Sequence, residues 1–290
     1  MRYAVYEAGG EIGVGLWPAS GAAIQPLDLS AEEASEGVLA LIDRGLAGRP
    51  AAPRGAPLPV DSVTLLAPVP RPRRNIFCVG KNYHAHAKEF AASGFDSSAN
   101  AGDVPPHPII FSKVPETVTP TGAPIPIDPA VSTAVDYEAE LAVIVGRAGR
   151  GIAKADALRH VWGYTLLNDV TARDLQGRHS QWLIGKSQDG FCPMGPAAVT
   201  ADELDLGDTL VRCWVNGELR QEANTAQLIF DVPTLIETLS AGITLLPGDV
   251  IATGTPAGVG IGFDPPRYLA PGDEVAMEIA PIGRLVNPVA

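Results

Sequence analysis

The chain reads as a β-rich α+β protein whose strands pack as a sandwich or roll, with a smaller unit ahead of them. Three observations support this. Short apolar runs bounded by turn residues recur from Val60 onward, among them Ile76 to Val79, Leu141 to Val145, Val211 to Val215 and Val250 to Thr253. Pro247-Gly248-Asp249-Val250 and Pro271-Gly272-Asp273-Glu274-Val275 are Pro-Gly turns that feed strands. Helical stretches are few: Tyr83 to Ala92, Lys154 to Arg159, Thr171 to Gln176 and Val232 to Ala241. No repeat of solenoid length is visible.

The smaller unit covers residues 1–60. Its first seventeen residues hold short β-like runs broken at Gly9-Gly10 and Gly13. Ser30 and Glu33 have capping-box spacing, so a short helix follows through Val38, Leu39, Leu41 and Ile42, with Gly45 as its stop. Residues 49–59, RPAAPRGAPLP, carry too much proline and too little to bury for anything but a linker. The larger unit is residues 61–290.

Apolar residues are 46% of the 290, enough for a sizeable core, and charged residues only 19%, which excludes a disordered chain. The net charge is −12. Such a surface repels phosphate backbones and anionic membranes, so neither nucleic acid nor membrane is an expected partner. An acidic protein that takes an acidic substrate needs a local cation, either a metal or a placed arginine. No apolar run is long enough to span a bilayer, and the start has no signal-peptide core. Cys78, Cys192 and Cys213 lie far apart in apolar surroundings and read as buried free thiols. A cytoplasmic protein is expected.

Five phrases could carry chemistry. In Val135-Asp136-Tyr137-Glu138-Ala139-Glu140-Leu141-Ala142 the side chains alternate, so Glu138 and Glu140 share a face that turns apolar at Ala142 and Ile144. That is either a solvated strand face or a pair of oxygen ligands for a hard cation. In the phrase from Trp162 to Gln176, an apolar strand ends at Asp169, which is either a third carboxylate or a helix N-cap. Arg173 and Gln176, three apart, share a helix face and could grip a carboxylate and a carbonyl. His86 and Glu89 are also three apart, spaced so that the carboxylate orients the ring and leaves its other nitrogen for a proton. An exposed helix pair would look the same. Lys186 sits between an apolar strand and a Gly-Phe turn, near a ligand or on the surface. The Thr253–Gly260 stretch is glycine-rich but lacks the lysine of a phosphate loop; its amides and the Thr255 hydroxyl could still bind a carboxylate.

Taken together, these phrases resemble the fumarylacetoacetate hydrolase family from about Pro70 to the end. The resemblance rests on Gly-x-Asn-Tyr-x-x-His-x-x-Glu at 80–89, Phe111-Ser112-Lys113, Asp136-Tyr137-Glu138-Ala139-Glu140-Leu141 and Asn168-Asp169-Val170-Thr171-Ala172-Arg173-Asp174. It continues through Gly185-Lys186-Ser187, Val215-Asn216-Gly217-Glu218 and Gly254-Thr255-Pro256-Ala257-Gly258-Val259-Gly260. It implies a mixed β-roll catalytic domain, a homodimer, and a Mg²⁺ or Mn²⁺ site, with Ca²⁺ as the other hard cation that suits such ligands. By matching position, Glu138, Glu140 and Asp169 would bind the metal, His86 and Glu89 would activate water, and Arg173, Gln176, Lys186 and Thr255 would hold substrate. One departure stands out. Larger family members carry an acidic ligand ahead of the histidine, where this chain has Val79, seven residues before His86. That marks the shorter branch, with three carboxylates. Phe90 to Pro106 would form a lid.

The resemblance implies chemistry on a small oxo-acid. The leading expectation is hydrolysis of a C–C bond in an acylpyruvate through a metal-bound enolate, with Lys186 assisting. Tautomerisation or decarboxylation of oxaloacetate, or isomerisation of a 2-hydroxymuconate-type diacid, are the alternatives on the same site. A metal-binding scaffold with a degenerate site is the non-enzymatic one.

Overall fold

The computed structural model describes residues 1–18, 21–92 and 104–290. The expected lid falls largely on 93–103, outside the described residues. Among the described residues, a 12-stranded sheet packs against a 4-stranded sheet, as the sandwich-or-roll reading expects.

The strand Ala139–Val145 lies at the centre, between the antiparallel strands Val161–Asn168 and Val250–Ala252. All seven of its residues are buried. Leu141, Val143 and Val145 point to the smaller sheet, where Val211, Cys213, Met277 and Leu285 meet them. Ala142 and Ile144 point the other way, into a second core closed by Val38, Leu39 and Ile42 of the helix Val38–Leu46. Alternation thus places Glu140 on the face of that second core.

Strand direction gathers the chemistry at one end of the sheet. Ala139 opens its strand opposite Asn168, where the antiparallel neighbour closes. Val250–Ala252 also closes there, beside the end of the parallel strand Ile76–Gly80. Glu138, Asp169, Gly254 and Lys81 are therefore neighbours in space although the sequence separates them.

The N-terminal strands extend the same sheet. Arg2–Ala8 pairs with Cys192–Thr200 and with Thr64–Leu66, so hydrogen bonds cross the division expected at residue 60. The proline-rich stretch is also tied down: Arg54 N donates to Pro26 O at 2.8 Å, and Leu58 and Pro59 pair with Ile24 and Ala23. The capping box of Ser30 and Glu33 forms, but its helix stops at Ser35. Gly37 breaks it, with φ +65 and no room for a Cβ, which would lie 2.4 Å from Pro68 O. A second helix then runs past Gly45 to Leu46, and the chain turns at Gly48 instead.

Two elements differ from their sequence pattern near the site. The helix expected from Thr171 starts at Arg173, because Thr171 and Ala172 pair with Asp136 and Val135. Lys186 ends a helical turn, Leu183–Lys186, where an apolar strand was expected. The three cysteines are buried and free. No helix among the described residues is long and apolar enough to cross a membrane.

Leu166 is fully buried between the two sheets. Leu166→Ala is expected to lower the unfolding free energy by about 2–5 kcal/mol. Urea denaturation measures it, and a loss well under that range would place the core elsewhere.

Candidate active site

Glu138, Glu140 and Asp169 are each at most 4% exposed, and a ligand oxygen from each lies within 4.8 Å of the others. Buried carboxylates this close repel one another, so each needs a cation or a donor. Lys186 Nζ sits 2.7 Å from Glu138 Oε2 and 2.6 Å from Asp169 Oδ2. Arg173 Nη2 stands 2.7 Å from Glu138 Oε1, near enough for an ion pair but out of line for a hydrogen bond. Lys113 Nζ donates to Asp169 Oδ1 at 2.7 Å and to the carbonyls of Val170 and Lys186.

Glu140 receives the least. Its one described donor is the Gly254 amide, 2.7 Å from Oε2. Burial, then Asp169 and Glu138, push its carboxyl well above the ordinary range. Burial would raise Glu138 too, but Lys186, Arg173 and His86 outweigh it and hold that group well below the ordinary range. Burial alone would lower Lys186, yet Asp169 and Glu138 keep its ammonium above the usual value. This donor set fits a hard divalent cation: three buried carboxylates, one of them short of positive charge, beside a lysine that bridges the other two. Val79 lines the same pocket, and among the described residues no fourth carboxylate joins the cluster, in keeping with the shorter branch.

The rest of the expected set converges here. His86, Arg173, Gln176, Lys186 and Thr255 line the pocket. Glu89 stands behind His86, its Oε2 3.1 Å from Nδ1. Glu89 can only accept while ionised, so Nδ1 carries the hydrogen and Nε2 is left to take a proton. Glu89 is itself fixed by the Gly258 amide, 2.9 Å from Oε1. His84 faces solvent and takes no part. Arg173 Nη1 donates to Gln176 Oε1 at 3.1 Å, so the shared helix face is real.

Several supporting residues had no assigned role in the sequence reading. Asp136 is fully buried and accepts from Arg173 Nε at 2.9 Å, with Gly260 N and Ile261 N on its other lone pairs. Gln221 Nε2 donates to Thr255 Oγ1 at 2.8 Å, which leaves the Thr255 hydrogen free to point at a ligand. Lys113 and Asp136 sat inside quoted phrases, but neither type nor spacing assigned them a partner. The glycine-rich loop does bind carboxylates with its amides; they are the protein's own, Glu140, Glu89 and Asp136. Close approach requires this. A Cβ on Gly260 would lie 2.8 Å from Asp136 Oδ1, and one on Gly262 2.0 Å from Glu89 Oε1. Phe90, Phe111 and Trp182 close the apolar side, with Trp182 edge-on to both phenyl rings.

A family model described as "Fumarylacetoacetate (FAA) hydrolase C-terminal" matches residues 75–290. The chain belongs to the fumarylacetoacetate hydrolase family. Within that family it is 49% identical over 231 residues to oxaloacetate tautomerase YisK of Bacillus subtilis (strain 168), covering 79% of this chain and 74% of that protein. It is 44% identical over 261 residues to the mitochondrial oxaloacetate tautomerase FAHD2B of Bos taurus, covering 89% and 77%. Among solved structures, the fumarylacetoacetate hydrolase of psychrophilic Exiguobacterium antarcticum superposes with a TM-score of 0.83 at 41% identity, over 100% of this chain and 99% of that one. The 2-hydroxyhepta-2,4-diene-1,7-dioate isomerase of Mycobacterium marinum gives 0.78 at 32% identity, over 100% and 98%.

Cation binding has two expected signatures. In the wild type, Mn²⁺ or Mg²⁺ at about a hundred times its dissociation constant adds about 2.7 kcal/mol to the unfolding free energy. Glu140→Gln loses that increment. Without a cation, the fold holds the Glu140 proton that the unfolded chain releases above the ordinary carboxylate range. Stability from this group is complete below that range and falls as pH rises toward the higher folded value. Glu140→Gln is expected to flatten that fall; thermal melts across pH without metal measure it, and an unchanged slope contradicts the assignment.

Proposed function

We propose that the protein is a divalent-metal-dependent tautomerase of oxaloacetate or a closely similar 2-oxo diacid, with Mg²⁺ or Mn²⁺ at Glu138, Glu140 and Asp169. The observation that carries this reading is the high identity, over most of both chains, to proteins named oxaloacetate tautomerase. The isomerase among the structural neighbours supports the same class, proton transfer beside a carbonyl. The acylpyruvate hydrolysis that the residues first suggested gives way to it.

The chemistry needs a proton to leave carbon 3 and another to reach the carbonyl oxygen. A bound cation would supply Lewis acidity to the 2-oxo and adjacent carboxylate oxygens. His86 Nε2 takes the carbon-bound proton, and Glu89 stabilises the imidazolium so formed. Lys186, protonated and held between Glu138 and Asp169, delivers a proton to the enolate oxygen, which becomes the enol hydroxyl. Arg173 with Gln176, and the Thr255 hydroxyl, orient the substrate. The aromatic wall excludes water that would otherwise divert the reaction to hydrolysis. Asp136 and Gln221 touch no substrate in this scheme; they set the angles of Arg173 and Thr255. The reading includes a homodimer, which sedimentation would establish.

The test is ultraviolet measurement of keto–enol equilibration of oxaloacetate, run beside decarboxylation and acylpyruvate hydrolysis on the Mn²⁺-loaded protein. Tautomerisation is expected to dominate. His86→Asn should lower its kcat by about 10²–10⁴-fold and leave Mn²⁺ content unchanged. Faster acylpyruvate cleavage than tautomerisation would restore the hydrolase, and loss of Mn²⁺ in the variant would remove His86 from proton transfer.

A further inference from the structure

Thr255 supplies the hydroxyl of the pocket wall and Gln176 its amide. Either group could in principle accept or donate. The surrounding hydrogen bonds leave each with one choice.

The lock on Thr255 is Gln221, a fully buried residue of the strand Glu218–Asn224 in the smaller sheet. Its amide has one workable orientation. Oε1 accepts from Ala139 N at 3.0 Å, while Nε2 donates to Pro256 O and to Thr255 Oγ1, both at 2.8 Å. A flipped amide would set N–H against N–H and oxygen against oxygen. Both Nε2 hydrogens are thereby used, and Thr255 Oγ1 must accept. The Thr255 hydrogen has no acceptor among the described residues, so it is left for a ligand. Backbone packing keeps this register. Gly258, at φ +100, lies so close to the strand that a Cβ there would be 1.8 Å from Arg220 O, next to Gln221. Gln176 is fixed by the same logic. A guanidinium only donates, so Gln176 turns Oε1 to Arg173 Nη1 at 3.1 Å and keeps Nε2 for a ligand.

A buried donor left without a partner is unfavourable. A carboxylate or ketone oxygen answers the Thr255 hydrogen. A carboxamide of the same shape can bring an N–H to that place, hydrogen against hydrogen. We infer that Gln221 is a specificity-determining positioning residue: by committing Thr255 to donate, it makes the pocket favour a carboxylate over the isosteric carboxamide. This rests on Thr255 facing the 2-oxo diacid in the function proposed above, and deepens it.

Malate and its two monoamides test it, since none of them can tautomerise and between them they place a carboxamide at either end. In calorimetric titration of the Mn²⁺-loaded protein, malate is expected to bind more tightly than both. Gln221→Met carries no charge and frees the Thr255 hydroxyl to turn. It should shift the affinity ratio of one monoamide to malate about tenfold toward the amide. The shift should vanish in Gln221→Met/Thr255→Val, because no hydroxyl remains to reorient. Should Gln221→Met not fold, Gln221→Glu keeps the acceptor for Ala139 N and carries the same expectation, with Gln221→Glu/Thr255→Val removing the part due to its charge. Monoamides that bind the wild type as tightly as malate, ratios unchanged in the variant, or a shift that survives Thr255→Val would each overturn the assignment. The expected shift without acceleration of keto–enol exchange would instead remove the tautomerase reading and leave Gln221 in place.

Discussion

The repulsion among Glu138, Glu140 and Asp169 is the constraint around which the rest of the site is arranged. Burying three carboxylates within one ligand sphere is unfavourable by itself, and the protein answers with fixed charges rather than solvent. Lys186 bridges two of them, Arg173 braces the first, and Lys113 takes the outer oxygen of the third. The answer is deliberately incomplete. Among the described residues Glu140 has one donor, the Gly254 amide, and that deficit fits a divalent cation better than a closed salt-bridge network.

The sheet makes such an arrangement affordable. Its central strand is apolar on both faces for most of its length and becomes charged only at its opening residues. The cost of the polar cluster is thus borne at the edge of two continuous cores. Antiparallel pairing then brings the end of one strand to the start of the next, so Asp169 meets Glu138 and Glu140, 31 and 29 positions earlier in the sequence, in one cluster. None of them rides on a long loop, which keeps ligand geometry stiff.

Much of this was legible in the sequence. The alternation around Glu138 and Glu140, the end of the apolar run at Asp169, and the three-residue spacings of His86–Glu89 and Arg173–Gln176 each report a local geometry that the fold preserves. What the sequence hid is non-local. Nothing in the composition around Asp136 says that Arg173 lies beside it, because a two-residue ladder with Thr171 and Ala172 creates that contact. Lys113 and Gln221 are equally invisible, since their partners come from other strands. The N-terminal stretch looked separable because residues 49–59 have the proline content of a linker, whereas the pairing of Arg2–Ala8 with Cys192–Thr200 inside the large sheet cannot be read from composition. The choice among reactions was not legible either, because a base, a cation site and an acid serve hydrolysis and tautomerisation alike.

The stretch Gly258–Gly262 holds both the carboxylate behind His86 and the carboxylate behind Arg173, and it does so with backbone amides. Exchange of this loop would loosen the His86–Glu89 pair and the Arg173–Asp136 pair in one stroke. A designer seeking a roomier site is directed instead to Phe90, Phe111 and Trp182, whose rings bound the apolar side of the pocket and carry no titratable group.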